Sequence, residues 1–446
     1  MYHLLILGSL KFILNSEMSV EELTRELERV KEENRSLRNK LADKKAEAIE
    51  MEPSNGYPLS LDEYSRYGRQ LIVPEFQGVQ GQVNLKNSKV LVIGAGGLGC
   101  PALLYLCAAG VGKIGIVDND YVDKSNLHRQ VLHTTNRVGM LKCESARVYL
   151  ENLNPNTEIE TFPIRLDNDN VFEVMSGYEY VLDCTDTPQT RYLINDGAVL
   201  CGLTIVSGSG LKTEGQLSIL NFQNQGPCYR CFYPNPPPPN SVTSCKDGGV
   251  IGPAIGMVGI MMAYEAIKLI TGYYTMENFS PFLTIYSSYP KQSLRTFKMR
   301  GRSEKCAICN GTITRKAIES GEIDYQAFCG TIHYRVMDPE NDRISVTKYD
   351  ELVSTDHSLI DVRPKEQFQI CSLPNSINIP IDQLMKKELK DLSQFQRGTP
   401  NFFICRYGND SQSAVEFFRT LGIPSKDIIG GLNCWSNEID SSMPKY

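Results

Sequence analysis

From Val20 the apolar positions Val20, Leu23, Leu27, Val30, Leu37 and Leu41 step by threes and fours, with Asn34 in the slot between Val30 and Leu37. This is a heptad seam of about three repeats, which suits either a parallel helix pair in register at its Asn or a single solvated helix. Met51 to Pro58 breaks the pattern with Pro53, Asn55, Gly56 and Pro58 and reads as a linker. Beyond Leu59 short β-branched runs alternate with helical stretches. Lys89 to Ile93, Ile114 to Val117, Tyr180 to Asp183, Ile205 to Ser207 and Gln216 to Leu220 read as strands, so this α/β segment predicts a mainly parallel sheet with crossover helices. A long irregular loop follows from Asn221 to Gly252. The apolar run Ile251 to Ile270 contains Glu265, Lys268 and several glycines, which fits a buried helix better than a membrane span.

Periodicity weakens from Thr312 to Asp342, and a second α/β unit then appears: strands at Leu359 to Val362 and Asn401 to Cys405, an extended Ser376 to Pro380, and a helix from about Ser411 to Leu421. The expected plan is an N-terminal extension (1–50), a first α/β domain (59–311), a linker (312–342) and a small α/β domain (343–446). Composition agrees: 446 residues with 41% hydrophobic content can build two or three cores, and a net charge of -6 gives no basic footprint for nucleic acid or an anionic membrane. A macromolecular partner is therefore expected to be a protein. Fourteen cysteines in a long chain, several in CxxC pairs, point to metal and thiol chemistry in a reducing compartment. Met1 to Leu14 lacks a basic start and carries Lys11, unlike a secretory signal. Met18 is an alternative first residue, and a soluble cytosolic protein is expected.

Three features carry chemistry. Gly94, Gly96 and Gly99 form G-x-G-x-x-G between a strand and a helix, with Gly97 as an extra glycine, so backbone N–H groups can approach a phosphate. Asp118 ends the next strand, where a carboxylate binds a ribose hydroxyl. Alone, these residues favour NAD or FAD. The further cluster Ser125, Asn126, Leu127, His128 and Arg129, with Lys142, Asp186 and Thr187, supplies cations and a metal-binding carboxylate suited to a triphosphate, so ATP with Mg2+ is the better reading. The bland alternatives are surface charges for Arg129 and Lys142 and a helix cap for Asp186. Second, Cys228-x-x-Cys231 and Cys306-x-x-Cys309 offer four thiolates for a structural Zn2+ closed to catalysis. Third, two cysteines stand in polar loops. Cys245 lies in Ser244-Cys245-Lys246-Asp247-Gly248-Gly249, where Lys246 and a nearby helix N-terminus can lower a thiol pKa. Cys405 opens a loop between a strand and a helix whose N–H groups would stabilise a thiolate or persulfide, and Ser411 stands where a cysteine phosphatase needs Arg.

On the blocks Arg66-Tyr67-Gly68-Arg69-Gln70, Gly94 to Gly99, Val117-Asp118, Ser125 to Gln130 and Asp183-Cys184-Thr185-Asp186, the chain resembles the ubiquitin-activating superfamily, especially its sulfur-carrier adenylyltransferases. The resemblance implies a Rossmann-like adenylating domain in which Gly97, Asp118, Ser125 to Arg129, Lys142, Asp186 and Thr187 contact ATP or Mg2+. It also implies that Arg69 reaches the nucleotide of a second protomer, hence a homodimer, and that Cys245 links covalently to the carrier. Around Asp361-Val362-Arg363, Cys405 to Gln412 and Gly430 to Trp435 the chain resembles the rhodanese sulfurtransferases, which implies a Cys405 persulfide. Together the two resemblances imply an enzyme that adenylates the C-terminal glycine of ubiquitin-like sulfur carriers (the molybdopterin-synthase small subunit and a Urm-type modifier) and converts it to a thiocarboxylate. Sulfur would come from a persulfide donor such as a cysteine desulfurase and go on to molybdopterin and tRNA wobble-uridine 2-thiolation. The alternative is an activating enzyme for protein conjugation, through a Cys245 thioester, with the rhodanese domain as a binding module.

Overall fold

The computed structural model describes residues 56–238, 248–330, 337–386, 389–396 and 398–446, together with residues 24, 25, 28, 29 and 32, which are helical and exposed. The heptad positions and Cys245 lie outside the described residues.

The first domain is built on an eight-stranded sheet in the order β3-β2-β1-β4-β5-β6-β7-β8. Strands β1 (Lys89–Ile93), β2 (Lys113–Val117), β3 (Glu158–Phe162), β4 (Tyr180–Asp183) and β5 (Thr204–Leu211) run parallel; β6 (Glu214–Leu220), β7 (Phe282–Ser287) and β8 (Ser293–Lys298) continue antiparallel. Consecutive side chains of β1 enter opposite cores: Val90 and Val92 pack with the Gly99–Ala109 and Gly252–Thr271 helices, and Leu91 and Ile93 with the Pro188–Cys201 helix. A sheet buried on both faces needs continuous apolar strands, and the run Val90 to Ile93 supplies one. The order reverses beside β1, so the crevice for a ligand opens where the chain leaves β1 and β4.

The Gly252–Thr271 helix is long and apolar enough to cross a membrane, yet Val258, Met262 and Ala266 are fully buried against the first core. Residues 312–330, which read as linker for want of periodicity, fold onto the second core: the short helices Arg315–Glu319 and Tyr325–Cys329 bury Ile313, Ile318, Tyr325 and Cys329. Helices of five residues are too short to show a 3.6-residue period.

The second domain has a five-stranded parallel sheet, β11-β10-β12-β13-β9, formed by β9 (Arg343–Ile344), β10 (Ser358–Asp361), β11 (Ile377–Asn378), β12 (Asn401–Ile404) and β13 (Lys426–Ile428). Its two cores lie on opposite faces, with Phe403 in one and Phe402 and Ile404 in the other. Cys405 thus leaves the C-terminal edge of a central strand.

Candidate active sites

The glycine loop is set by backbone contacts. A β-carbon at Gly99 would lie 1.8 Å from the Gly94 carbonyl oxygen, and Gly94 itself takes φ +100° against the Cys184 carbonyl. The turn from β1 into the Gly99–Ala109 helix is therefore closed to side chains, leaving backbone N–H groups facing the crevice. Asp118 is fixed by the Ala95 N–H at 2.8 Å and the Asp120 N–H at 2.9 Å. Burial raises its pKa, opposed by the Lys142 charge. Lys142 opens the Lys142–Leu153 helix, is 5% exposed, and pairs with Asp120 at 2.8 Å.

The Ser125 to Arg129 segment faces the same loop. Arg129 donates to the Asn126 side chain at 2.5 Å and to the Ser125 carbonyl at 3.3 Å, its aliphatic stem stands 3.7 Å from where a Gly97 β-carbon would be, and a β-carbon at Gly252 would meet the His128 carbonyl oxygen at 2.4 Å. Ser125 is tied to Asp123 through its own N–H and hydroxyl. On the β4 side the helix cap belongs to Thr187, whose hydroxyl accepts from Thr190 N–H, and Asp186 is left exposed. Asp186 makes no side-chain hydrogen bond or ion pair among the described residues, so its carboxylate suits a hydrated cation better than the capping role. Arg69 is exposed in the last turn of the Leu61–Leu71 helix. The neighbouring Gln70 bonds the Ala109 carbonyl at the far end of the Gly99–Ala109 helix, so this chain does not bring Arg69 to its own glycine loop.

Two buried polar residues lie behind the loop: Gln130, the last residue of the Ser125 to Gln130 block, and His133, which carries no motif of its own. His133 bonds the Ala95 carbonyl through Nε2 and Ser145 Oγ through Nδ1, both at 3.0 Å. A carbonyl can only accept, so Nε2 carries a proton. Burial holds its pKa below the usual 6.5, with Lys142 and Arg137 adding to the depression. The unfolded chain therefore takes up a proton first, and the fold loses stability as pH falls below about 6.5. The expected result is a thermal midpoint that declines from pH 7 to about 5, with a shallower decline in His133→Gln. Gln130, 5% exposed beside Gly96, has a buried Oε1 with no hydrogen-bond partner among the described residues.

The four knuckle sulfurs converge. Cys228 to Cys231, Cys306 and Cys309 are 3.8, 3.6 and 3.5 Å apart, and Cys231 to Cys309 is 3.7 Å. A tetrahedral ion with Zn–S bonds of about 2.3 Å places its sulfurs about 3.8 Å apart, so the set could hold zinc. Around it Ser303 N–H donates to Cys231 Sγ at 3.3 Å, and Arg302 reaches the Gly226 carbonyl and Asn221 Oδ1. The cluster ties the chain after β6 to the chain after β8. Metal removal by a strong chelator is expected to lower the thermal midpoint by on the order of 10 °C, restored by added Zn2+; an unchanged midpoint would contradict it.

In the second domain Cys405 is 2% exposed, and its sulfur accepts from Gly408 N–H at 3.1 Å. Burial pushes the thiol up, against the pull of a Ser411 hydrogen bond at 3.4 Å. The expected wrapping is thus present, but burial outweighs it for the bare thiol. The loop is held open from outside. Leu432 and Asn433 N–H groups take the Cys405 and Arg406 carbonyls at 3.0 Å, and a β-carbon on Gly431 (φ +57°) would meet the Cys405 carbonyl oxygen at 2.2 Å. Behind the sulfur, Ser411 also lies 3.3 Å from Asp427, which is fully buried and held by Arg343 at 2.8 and 3.0 Å. Asp427 follows Ser425 and Lys426 in the run from Ile423 to Ile429, so nothing in the local sequence sets it apart as a buried carboxylate.

A nucleotide-type loop ringed by cations and a cradled cysteine, on separate sheets of one chain, define a two-centre enzyme of adenylation and sulfur transfer. The chain belongs to the ThiF family, whose model matches residues 67–308, and a rhodanese-like domain matches residues 345–438. It is 56% identical over 439 residues to the adenylyltransferase and sulfurtransferase UBA4 of Scheffersomyces stipitis, covering 96% of this chain and 98% of that one. The enzyme of the same name from Saccharomyces cerevisiae is 55% identical over 446 residues, covering 97% of this chain and all of its own. Among solved structures, Escherichia coli MccB with ATP is similar over 57% of this chain and 76% of its own, at 22% identity and a TM-score of 0.49. The chain is a bifunctional adenylyltransferase and sulfurtransferase.

Proposed function

We propose that the first domain joins the C-terminal glycine carboxylate of a ubiquitin-like sulfur carrier to the α-phosphate of ATP, releasing pyrophosphate, and that Cys405 then supplies sulfur to the acyl-adenylate. The observation that carries this reading is the pairing of the cation-ringed glycine loop with a buried, loop-cradled cysteine in one chain. In it Asp118 takes the ribose hydroxyls, the loop N–H groups and Arg129 take the phosphates, and Lys142 offsets charge that develops on transfer. Asp186 would hold the Mg2+ of the nucleotide, which neutralises phosphate charge when bound. Arg69 reaches the site of a second copy, since its own chain does not bring it there, and the assembly is then a homodimer. Zn2+ at the four cysteines has a structural role.

In the sulfur step a Cys405 persulfide, loaded by a donor such as a cysteine desulfurase, attacks the acyl carbon and AMP leaves with the electron pair. The resulting acyl disulfide is cleaved by Cys245 thiolate attack on the Cys405 sulfur; a Cys245–Cys405 disulfide forms, the thiocarboxylate leaves, and a cellular thiol reductant returns both cysteines to thiols. Cys245 stands three residues before Gly248 in the sequence, where the described chain returns to the nucleotide side: Lys212 N–H bonds the Gly249 carbonyl and Gly252 packs on His128. The products serve molybdopterin synthesis and tRNA 2-thiolation in the cytosol. The test is the mass of the carrier C-terminus after incubation with ATP and a persulfide donor: a thiocarboxylate supports the reading, and a carrier left conjugated to protein amines with no thiocarboxylate would overturn it.

A further inference from the structure

Strand register brings a carboxylate beneath the Cys405 loop. Phe403 and Cys405 point to the same face of β12, and Asp427, the β13 partner of Phe403, lies beside them. On its other side β13 pairs Asp427 with Arg343 of β9, whose guanidinium spans both carboxylate oxygens at 2.8 and 3.0 Å. The Asp410–Thr420 helix packs against β12 and β13, and Ser411 in its first turn is fully buried. Its Oγ stands 3.4 Å from Cys405 Sγ and 3.3 Å from Asp427 Oδ2. A guanidinium across both oxygens favours the ionised carboxylate, which can only accept. The single hydroxyl proton of Ser411 therefore goes to Asp427, and the Ser411 oxygen accepts from the Cys405 thiol. Arg343 also donates to the Gly408 carbonyl at 3.2 Å, while Gly408 N–H donates to Cys405 Sγ at 3.1 Å, so one side chain sets both the carboxylate and the sulfur cradle. Joining β9 to β13 needs the ion pair alone; the hydroxyl links that pair to the sulfur.

We propose that Ser411 and Asp427 form a proton relay for Cys405: as the sulfur attacks its donor, the thiol proton passes to Ser411 Oγ and the hydroxyl proton passes to Asp427. Ser411 touches the reacting sulfur, and Asp427 acts through it. The relay rests on Cys405 as the sulfur carrier. Burial raises the pKa of both Asp427 and Cys405; Arg343 opposes the rise at the first, and Asp410 adds to it at the second. A thiol that holds its proton needs a base, and a carboxylate raised by burial is a stronger one than its exposed counterpart. Thiosulfate serves as the probe. Cys405 Sγ attacks its outer sulfur, the bond to the sulfonate breaks, sulfite leaves with the electron pair, and a Cys405 persulfide remains. Cyanide then takes the outer sulfur as thiocyanate, and the Cys405 thiolate leaves with the electron pair and recovers its proton from Asp427 through Ser411.

The experiment follows sulfite release in the first turnover of the full chain at saturating thiosulfate. Ser411→Ala, which leaves the Arg343 and Asp427 pair in place, is expected to slow loading about 10^2-fold at pH 7. Ser411→Thr keeps the hydroxyl and should restore the rate to within about fivefold of wild type. Asp427→Asn should lose as much as Ser411→Ala, and the double variant no more. If Asp427→Asn fails to fold, the Ser411 variants and the pH profile decide alone. The deficit of Ser411→Ala should shrink at least about tenfold between pH 7 and about 9.5, where the thiol increasingly ionises without a base. An unchanged rate in Ser411→Ala overturns the relay. So does a deficit of equal size at every pH, which is the mark of a merely loosened loop. Sulfite release that survives Cys405→Ser overturns instead the assignment of Cys405, and is told apart because it needs no Ser411 variant to be seen.

Discussion

Cys405→Ala leaves carrier-dependent ATP–pyrophosphate exchange at its wild-type rate and lowers thiocarboxylate formation by on the order of 10^3-fold or more. The two halves of that result follow from the architecture. The cysteine belongs to a sheet of five strands with its own two cores, and the glycine loop to a sheet of eight with two others. Removing a sulfur whose bonds to Gly408 N–H and Ser411 lie within its own loop disturbs nothing described that holds the nucleotide loop. Nor can another thiol substitute. Cys371 and Cys434 are the remaining cysteines of that domain; Cys371 donates to the Pro444 carbonyl, and Cys434, raised to about 11 by burial and its Glu438 partner, bonds that carboxylate at 2.8 Å. Mass spectrometry of the carrier separates the outcomes, since a thiocarboxylate made without Cys405 would sink the assignment.

Where chemistry depends on backbone geometry after a strand, the sequence was readable. Glycines at 94, 96 and 99 following four consecutive apolar β-branched or leucine residues predict the turn, and the structure closes it through Gly94 and Gly99. CxxC pairs were readable for the same reason, because short spacing fixes two ligands locally and leaves only the meeting of the pairs to the fold. β7 and the edge strand β8 were not. Neither Phe282–Ser287 nor Ser293–Lys298 alternates apolar with polar residues, and β8 is mostly exposed, so no period of two marks them before β6 supplies the pairing. His133 and Asp427 were equally invisible, since each is held by a partner distant in the chain: Ala95 for the first, Arg343 and Ser411 for the second. Single polar residues with long-range partners leave no periodicity to read. One sequence-level alternative was settled by local geometry, because Thr187 takes the cap that Asp186 was offered.

Lys142→Ala should mirror the Cys405 result, cutting pyrophosphate exchange by about 10^2 to 10^3-fold while thiosulfate-dependent thiocyanate formation at Cys405 continues. The argument turns on what Lys142 does for the fold. Its side chain is 6% exposed, so the ammonium has given up most of its hydration, yet the partner Asp120 is 66% exposed and shares its carboxylate with water. A pair with one exposed member contributes little to stability, and the buried member alone costs something to desolvate. The residue therefore holds a cation at the crevice at no structural gain, close enough to oppose the rise that burial imposes on the Asp118 pKa, and Asp118 in turn fixes the loop at Ala95. An anion arriving there replaces the hydration that the ammonium lacks, and phosphate charge that grows during transfer is met by a donor already in place. Loss of exchange without loss of thermal midpoint is the expected signature. A midpoint that collapses with the rate would instead make Lys142 a structural residue, and Lys142→Met, which keeps the aliphatic stem and removes the charge, decides between the two: exchange should stay low in Met and Ala alike.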